Sequence, residues 1–114
     1  MKPGRNDRKH QILIAGAELD ELQRHTWMMA ESFGLDRRIA RYQGKRPIGL
    51  YRWDLDCLID VMAFALADLK EYPSHTSPEY LALQSLYERV KQEYAEAYEQ
   101  KGRLHDHNLL PAAG

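Results

Sequence analysis

The stretch 54–71 leaves almost no polar side for a helix to turn toward water. Leu58, Ile59, Val61, Met62, Phe64, Ala65, Leu66 and Leu69 cover most of its circumference. A helix that is apolar nearly all round must be buried on several faces, so the remaining segments have to wrap it. Its start is well marked. Asp54 is a good N-cap, Asp56 lies in the first turn, and both suit the positive helix end. Trp53 and Leu58 take the N′ and N4 places of a hydrophobic staple. The helix is expected to run to about Glu71 and stop before Tyr72-Pro73.

Two longer patterns flank it. Ile12, Ala15, Leu19, Leu22, Met29 and Phe33 keep a 3-4 spacing, with Thr26 in the remaining slot. This predicts a first helix from an Asn6 or Asp7 cap to about Phe33, closed by Gly34. It would run through Gly16 at a cost of about 1 kcal/mol, tolerable where another helix approaches closely. Ser77-Pro78-Glu79 starts the third helix as capping serine, N1 proline and early acid. Tyr80, Leu83, Tyr87, Val90, Tyr94 and Ala97 then repeat at 3-4 spacing, and Gly102 ends it. Between the first two helices, Asp36 can cap a short helix, Arg37–Tyr42, with Leu35, Ile39 and Tyr42 facing inward. Two glycines and a proline in 43–49 break regularity.

No strand alternation is legible. The expectation is therefore all-α: a small bundle of two long helices, one central buried helix and a short basic crossover helix. The long helices would measure about 39 and about 36 Å against about 26 Å for the central one. Their apolar stripes would outrun it, so a dimer is expected to complete the bundle. Residues 1–6 read as a flexible basic tail, 7–102 as one α-helical domain, and 103–114 as a flexible C-terminal tail.

The composition, 44% hydrophobic and 29% charged, is that of a soluble globular protein. Cys57 stands alone in an apolar run, where a buried inert thiol is expected and no internal disulfide is possible. The charged N-terminus has no apolar stretch after it of the secretory-signal kind. Nothing approaches the roughly 18 apolar residues of a membrane span, so the cytoplasm is expected.

The formal net charge of −1 hides segregation. Arg37, Arg38, Arg41, Lys45, Arg46 and Arg52 fall in one block without an acid, with Tyr42, Tyr51 and Trp53 among or beside them. The segments on either side, 11–36 and 53–101, are acidic. Such a block suits the docking of an anion or an acidic surface, and arginine forks match phosphate or carboxylate. The competing account pairs these cations with acids of the long helices or leaves them solvated. The near-neutral balance argues against a general nucleic-acid coat. Gly44-Lys45 is no P-loop, because the rest of GxxxxGK[ST] is absent.

The acids offer a second function class. Glu18 and Glu21 form an E-x-x-E pair, and Asp56 and Asp60 lie one turn apart on the central helix. Four carboxylates on facing helices can hold Mg²⁺ through oxygen ligands while waters meet substrate phosphates. The arrangement resembles the all-α nucleotide pyrophosphohydrolases of the MazG-like type, whose E-x-x-E helix is followed by an E-x-x-D helix. Leu58-Ile59-Asp60-Val61-Met62 is similar to the apolar end of that second motif, with Cys57 where the family has an acid. The resemblance implies Mg²⁺-dependent hydrolysis, with Lys45 or Arg46 on the substrate phosphate. The broken second motif points instead to a chain without that activity. Asp60 interrupts an apolar helix and calls for a partner such as Arg24, His25 or a loop arginine.

His10, His25, His75, His105 and His107 are scattered, and for His25 and for the His105-Asp106-His107 tract a surface histidine is expected over a metal ligand. Glu21 and His25 sit one helical turn apart, but further metal ligands are not legible. No Ser-His-Asp, Cys-His or G-x-S-x-G context appears, and no metal or cofactor site is assigned. Tyr80, Tyr87 and Tyr94 share a heptad position and Tyr98 follows one turn later. Tyrosine is enriched at interfaces, and four hydroxyls are hard to satisfy together in a dry core. They are expected to face a second subunit or partner. Taken together, the residues point to a non-catalytic interaction or assembly module. Its basic crossover, 37–52, would dock an acidic protein surface or a nucleic-acid backbone. The alternative is the Mg²⁺-dependent hydrolase.

Overall fold

The computed structural model describes residues 8–29 and 34–99. The expected tails 1–6 and 103–114, the Asn6 or Asp7 cap, Phe33 and the Gly102 stop lie outside them. In chain order the elements are β1 (His10–Ile12), α1 (Gly16–Gln23), a 3-10 turn (Thr26–Met29), α2 (Leu35–Arg41), β2 (Ile48–Leu50), α3 (Arg52–Ala67) and α4 (Pro78–Tyr94). A π turn, Ala95–Glu99, extends α4. The chain is mostly helical, as its periodicity predicts, but it carries a small sheet. β1 and β2 pair antiparallel, with His10 opposite Leu50, Gln11 opposite Gly49 and Ile12 opposite Ile48.

This corrects the expectation of a continuous first helix and of a chain without strands. Side chains alternate from His10 to Ile14, with His10, Ile12 and Ile14 buried and Gln11 and Leu13 exposed. The chain then reaches Gly16, whose φ of +59° an L side chain adopts only with strain. Gly16 opens α1 rather than lying inside a longer helix, and only Leu19, Glu21 and Leu22 of α1 are buried.

α3 is the central element. Leu55, Leu58, Val61, Met62, Ala65 and Leu66 are buried on it, in one cluster with Leu83, Leu86 and Val90 of α4, against which α3 packs, and with Leu22 of α1 and Leu35 of α2. Its apolar coat is less complete than its composition suggests, since Phe64 is exposed. The start shifts as well. Tyr51 is the N-cap residue, and Asp54 sits at N3, where its carboxylate accepts from the Tyr51 N–H at 3.0 Å. α3 ends at Ala67, before the expected Glu71. α4 starts as expected, with the Ser77 hydroxyl accepting from the Tyr80 N–H at 3.1 Å and Pro78 in the first turn. No helix among the described residues is long and apolar enough to cross a membrane.

Candidate basic docking groove

The basic block is held to the core by its apolar residues. Leu35 and Ile39 of α2 are fully buried, so the exposed Arg37, Arg38 and Arg41 lie on its outer side. Gly34, not Asp36, occupies the α2 N-cap position. The α2 C-terminus is tied down by Gln23, whose side-chain amide donates to the carbonyls of Ile39 and Tyr42 at 3.0 Å each. Those carbonyls would otherwise be orphans of the helix end. The Tyr42 hydroxyl donates to the Arg46 carbonyl and accepts from the Ile14 N–H at 3.4 Å. Gly44 turns the chain at φ +75°, packed against the Ile14 carbonyl and Leu19. An ordered loop between α2 and β2 results.

These elements enclose a groove of about 840 Å³. It is lined by Arg38 and Arg41 of α2, by Lys45, Arg46, Pro47, Ile48 and Gly49 of the segment that follows, and by Tyr42, Gln43 and Gln11. Four cations of the block thus share one concavity. Arg38 is already committed: its guanidinium meets the buried Asp54 carboxylate at 2.7 Å and donates to the Gly49 carbonyl at 3.2 Å. Among the described residues, no carboxylate lies within ion-pair reach of Arg37, Arg41, Lys45 or Arg46. Arg52 lies outside this groove, on α3, with its guanidinium 5.9 Å from the Tyr98 ring centre.

The sheet adds a cation that the linear sequence does not place there. Lys9 lies over Gly49, where any Cβ would collide with its stem, and its ammonium stands 5.5 Å from the Tyr51 ring centre. Tyr51 stacks in turn on Trp53, with ring centres 4.9 Å apart and planes 17° from parallel. The signal for Lys9 would have been the strand pairing itself, which brings residue 9 beside residues 49–51.

The carboxylates of the alternative reading do not come together. Glu18 accepts from Ser85 at 3.0 Å and pairs with Arg89 at 2.5 Å. Glu21 is buried in a different network, while Asp56 and Asp60 are exposed on α3. The partner expected for a buried Asp60 is therefore not needed. Among the described residues, no group of three or more His, Cys, Asp or Glu side chains is placed to hold a metal ion.

That second network ties α1 to the loop after α3. Tyr72, almost fully buried, donates its hydroxyl proton to Glu21 Oε1 at 2.8 Å. Its single proton so used, the Tyr72 oxygen accepts from His25 Nε2 at 2.9 Å. Arg24 bridges Glu21 and Glu71 at 2.8 Å each. His25 is buried rather than superficial, and its Nδ1 has no hydrogen-bond partner among the described residues. Burial, then the Arg24 charge, lowers its pKa from the usual 6.5. Burial, then the bond to Glu21, raises the Tyr72 pKa well above the ordinary tyrosine range. The bond to Glu21 raises that of Arg24. Glu21 and His25 are thus linked through a tyrosine, and the polar atoms mostly satisfy one another.

His10 is likewise buried, with Nδ1 2.7 Å from Glu93 and Nε2 2.6 Å from the Tyr98 hydroxyl. The rest of the α4 tyrosine stripe also packs within the chain. Tyr80 stacks on His75 and meets Tyr72 edge-on, Tyr87 lies under Lys91, and Tyr94 sits 5.1 Å from Tyr98 between ring centres. All four rings are half-buried against the core. No family model, curated protein or solved structure matches the chain.

Proposed function

We propose that this chain is a non-catalytic interaction module whose basic crossover docks an anionic macromolecule. One observation carries the reading. Arg41, Lys45 and Arg46 converge on an 840 Å³ groove without a neutralising acid among the described residues. Four acids are engaged elsewhere, Glu18 with Arg89, Glu21 and Glu71 with Arg24, and Glu93 with His10. Cations in a concave site raise the local potential more than the same charges on a convex face. The separation of the four carboxylates gives the hydrolase reading no comparable support.

Self-association belongs to the same proposal but on another surface. The tyrosines of α4 already serve the chain's own packing. Among the described residues, Trp27, Phe64 and Leu69 are the most exposed large apolar side chains, at 73, 69 and 67%. They lie on the 3-10 turn packed against α3, on the C-terminal half of α3, and just after it.

The test is affinity capture from the native source with the wild type and with Arg41→Glu/Arg46→Glu, beside a melting curve of each. The wild type should retain an anionic partner that raised salt releases, and the double reversal should lose it at unchanged Tm. A partner held equally by both proteins overturns the reading.

A further inference from the structure

We infer that the basic groove takes the phosphodiester backbone of a single-stranded nucleic acid. This rests on the docking reading above and names its ligand. The choice between polyanions turns on what the groove lacks as much as on what it holds.

An acidic protein partner draws most of its affinity from aromatic or aliphatic anchors seated in desolvated pockets. The aromatic groups near the groove are partly engaged within the chain already. Tyr51 lies between the Lys9 ammonium and the Trp53 ring. The Tyr42 hydroxyl is engaged by the Arg46 carbonyl and the Ile14 N–H. An acidic peptide adding as a strand along β2 would meet a three-residue edge whose Gly49 carbonyl already accepts from Arg38. A phosphate backbone needs neither anchor nor edge. It needs cations spaced along its path, with polar groups to fix its register. Arg41 of α2 and Lys45 and Arg46 of the following loop supply the charge. Gln11 and Gln43 supply uncharged donors, and Lys9 extends the positive surface across the sheet.

Concavity and charge distribution select a single strand. A duplex would rest on the rim and carry its second strand of phosphates across the rest of the surface. That surface is acidic, for between residues 53 and 98 eight acids lie at least partly exposed against three bases. Like charges facing each other there oppose a duplex, whereas one strand lying in the groove avoids them. Contacts from the lining cations to phosphate carry no sequence information, so recognition should be largely indifferent to sequence.

Fluorescence anisotropy on the full chain tests this, with a labelled single-stranded RNA dodecamer of mixed sequence, its duplex, and polyglutamate as probes. The single strand should bind best. Its log affinity should fall with log salt at a slope near −2, from three contacts at about 0.7 each. Arg41→Glu/Arg46→Glu should weaken it about tenfold or more, and Arg41→Gln/Arg46→Gln by less, each with an unchanged circular dichroism spectrum. Polyglutamate bound in preference to RNA would overturn the nucleic-acid assignment and leave the docking reading standing. Duplex bound as tightly as single strand would overturn the choice of strand. An affinity that both double variants leave unchanged would remove the groove as the site. Failure of all three probes would overturn this inference, and the capture experiment would then decide the docking reading by itself.

Discussion

The Arg38 guanidinium reaches the buried Asp54 carboxylate at 2.7 Å, across the junction between α2 and α3. The same carboxylate receives the Tyr51 N–H at the start of α3. One arginine of the basic block therefore serves the fold. Removing it leaves Asp54 buried with part of its hydrogen bonding gone. Arg38→Ala should destabilise the protein by about 1–3 kcal/mol in urea unfolding, the usual cost of stranding a charged group. Arg41→Ala, on the same helix with no such partner among the described residues, should stay within about 0.5 kcal/mol. Equal effects of the two substitutions would contradict the division between structural and docking arginines.

The second prediction concerns pH. His25 is buried and faces Tyr72 directly, with Arg24, Glu21 and Glu71 nearby. Burial first, and Arg24 second, depress its folded pKa. The unfolded chain takes up a proton near pH 6.5 while the folded chain still excludes it. His25's contribution to stability is thus complete above about 6.5 and shrinks as pH falls from there toward the folded pKa. The slope from this one group cannot exceed about 1.4 kcal/mol per pH unit. His25→Gln retains a donor for the Tyr72 hydroxyl and cannot titrate. Stability measured across that window should be flatter in the variant, and parallel curves would count against the assignment.

Tyr72→Phe tests the centre of the same network. The hydroxyl joins Glu21 to His25, two buried groups on α1 and just after it. Phenylalanine keeps the ring and leaves the His25 Nε2–H without its acceptor and Glu21 with one donor fewer. A loss of about 1–3 kcal/mol is expected from denaturant unfolding. A neutral result would mean that water takes over both bonds.

Helices with strong periodicity were legible in the chain. Ser77, Pro78 and the 3-4 spacing beyond them place α4, and the apolar density of 55–66 places α3 at the centre. The first segment was misleading for a definite reason. Ile12, Ala15, Leu19 and Leu22 satisfy a helical spacing by coincidence. The true alternation of His10 to Ile14 is masked because the outward position 13 is a leucine and one inward position is a histidine. A strand of three residues gives too short a pattern to compete, and β2, hidden between Pro47 and Tyr51, is equally brief. The basic block was visible as a run of charge. Its division into a tethered Arg38 and open neighbours depended on Asp54, which had been assigned to the N-cap rather than to N3. Lys9 and the Tyr72 network required tertiary contacts between residues forty or more positions apart.

Gly44 reports whether the loop that carries Lys45 and Arg46 is as ordered as its contacts imply. Its φ is +75°, and a Cβ would stand 3.0 Å from the Ile14 carbonyl and 3.1 Å from a Leu19 methyl. Backbone strain and crowding therefore act together. Gly44→Ala should lower stability by about 1–3 kcal/mol and disturb the groove. Gly16 shares a positive φ but has open space where a Cβ would go, so Gly16→Ala should cost only about 1–2 kcal/mol of backbone strain. The contrast in groove binding matters more than the contrast in stability: Gly44→Ala should weaken anion binding, and Gly16→Ala should not.

Self-association is the last expectation, and we propose it on a different surface. The argument from two long helices outrunning a shorter one does not survive an α1 of eight residues. What is left is surface chemistry. Trp27 and Phe64 each leave more than two-thirds of their area in water, and Leu69 is close behind. Withdrawing apolar area yields about 25 cal/mol per Å², so large rings so exposed are the natural centre of a contact. Sedimentation equilibrium at micromolar concentration should show a dimer in the wild type. Trp27→Ser/Phe64→Gln should shift it to monomer with an unchanged circular dichroism spectrum, because neither ring is part of the buried core. A wild type that sediments as a clean monomer removes the dimer. A double variant that still dimerises returns the interface to the α4 face that carries Tyr80, Tyr87, Tyr94 and Tyr98, which Tyr87→Glu would then disrupt.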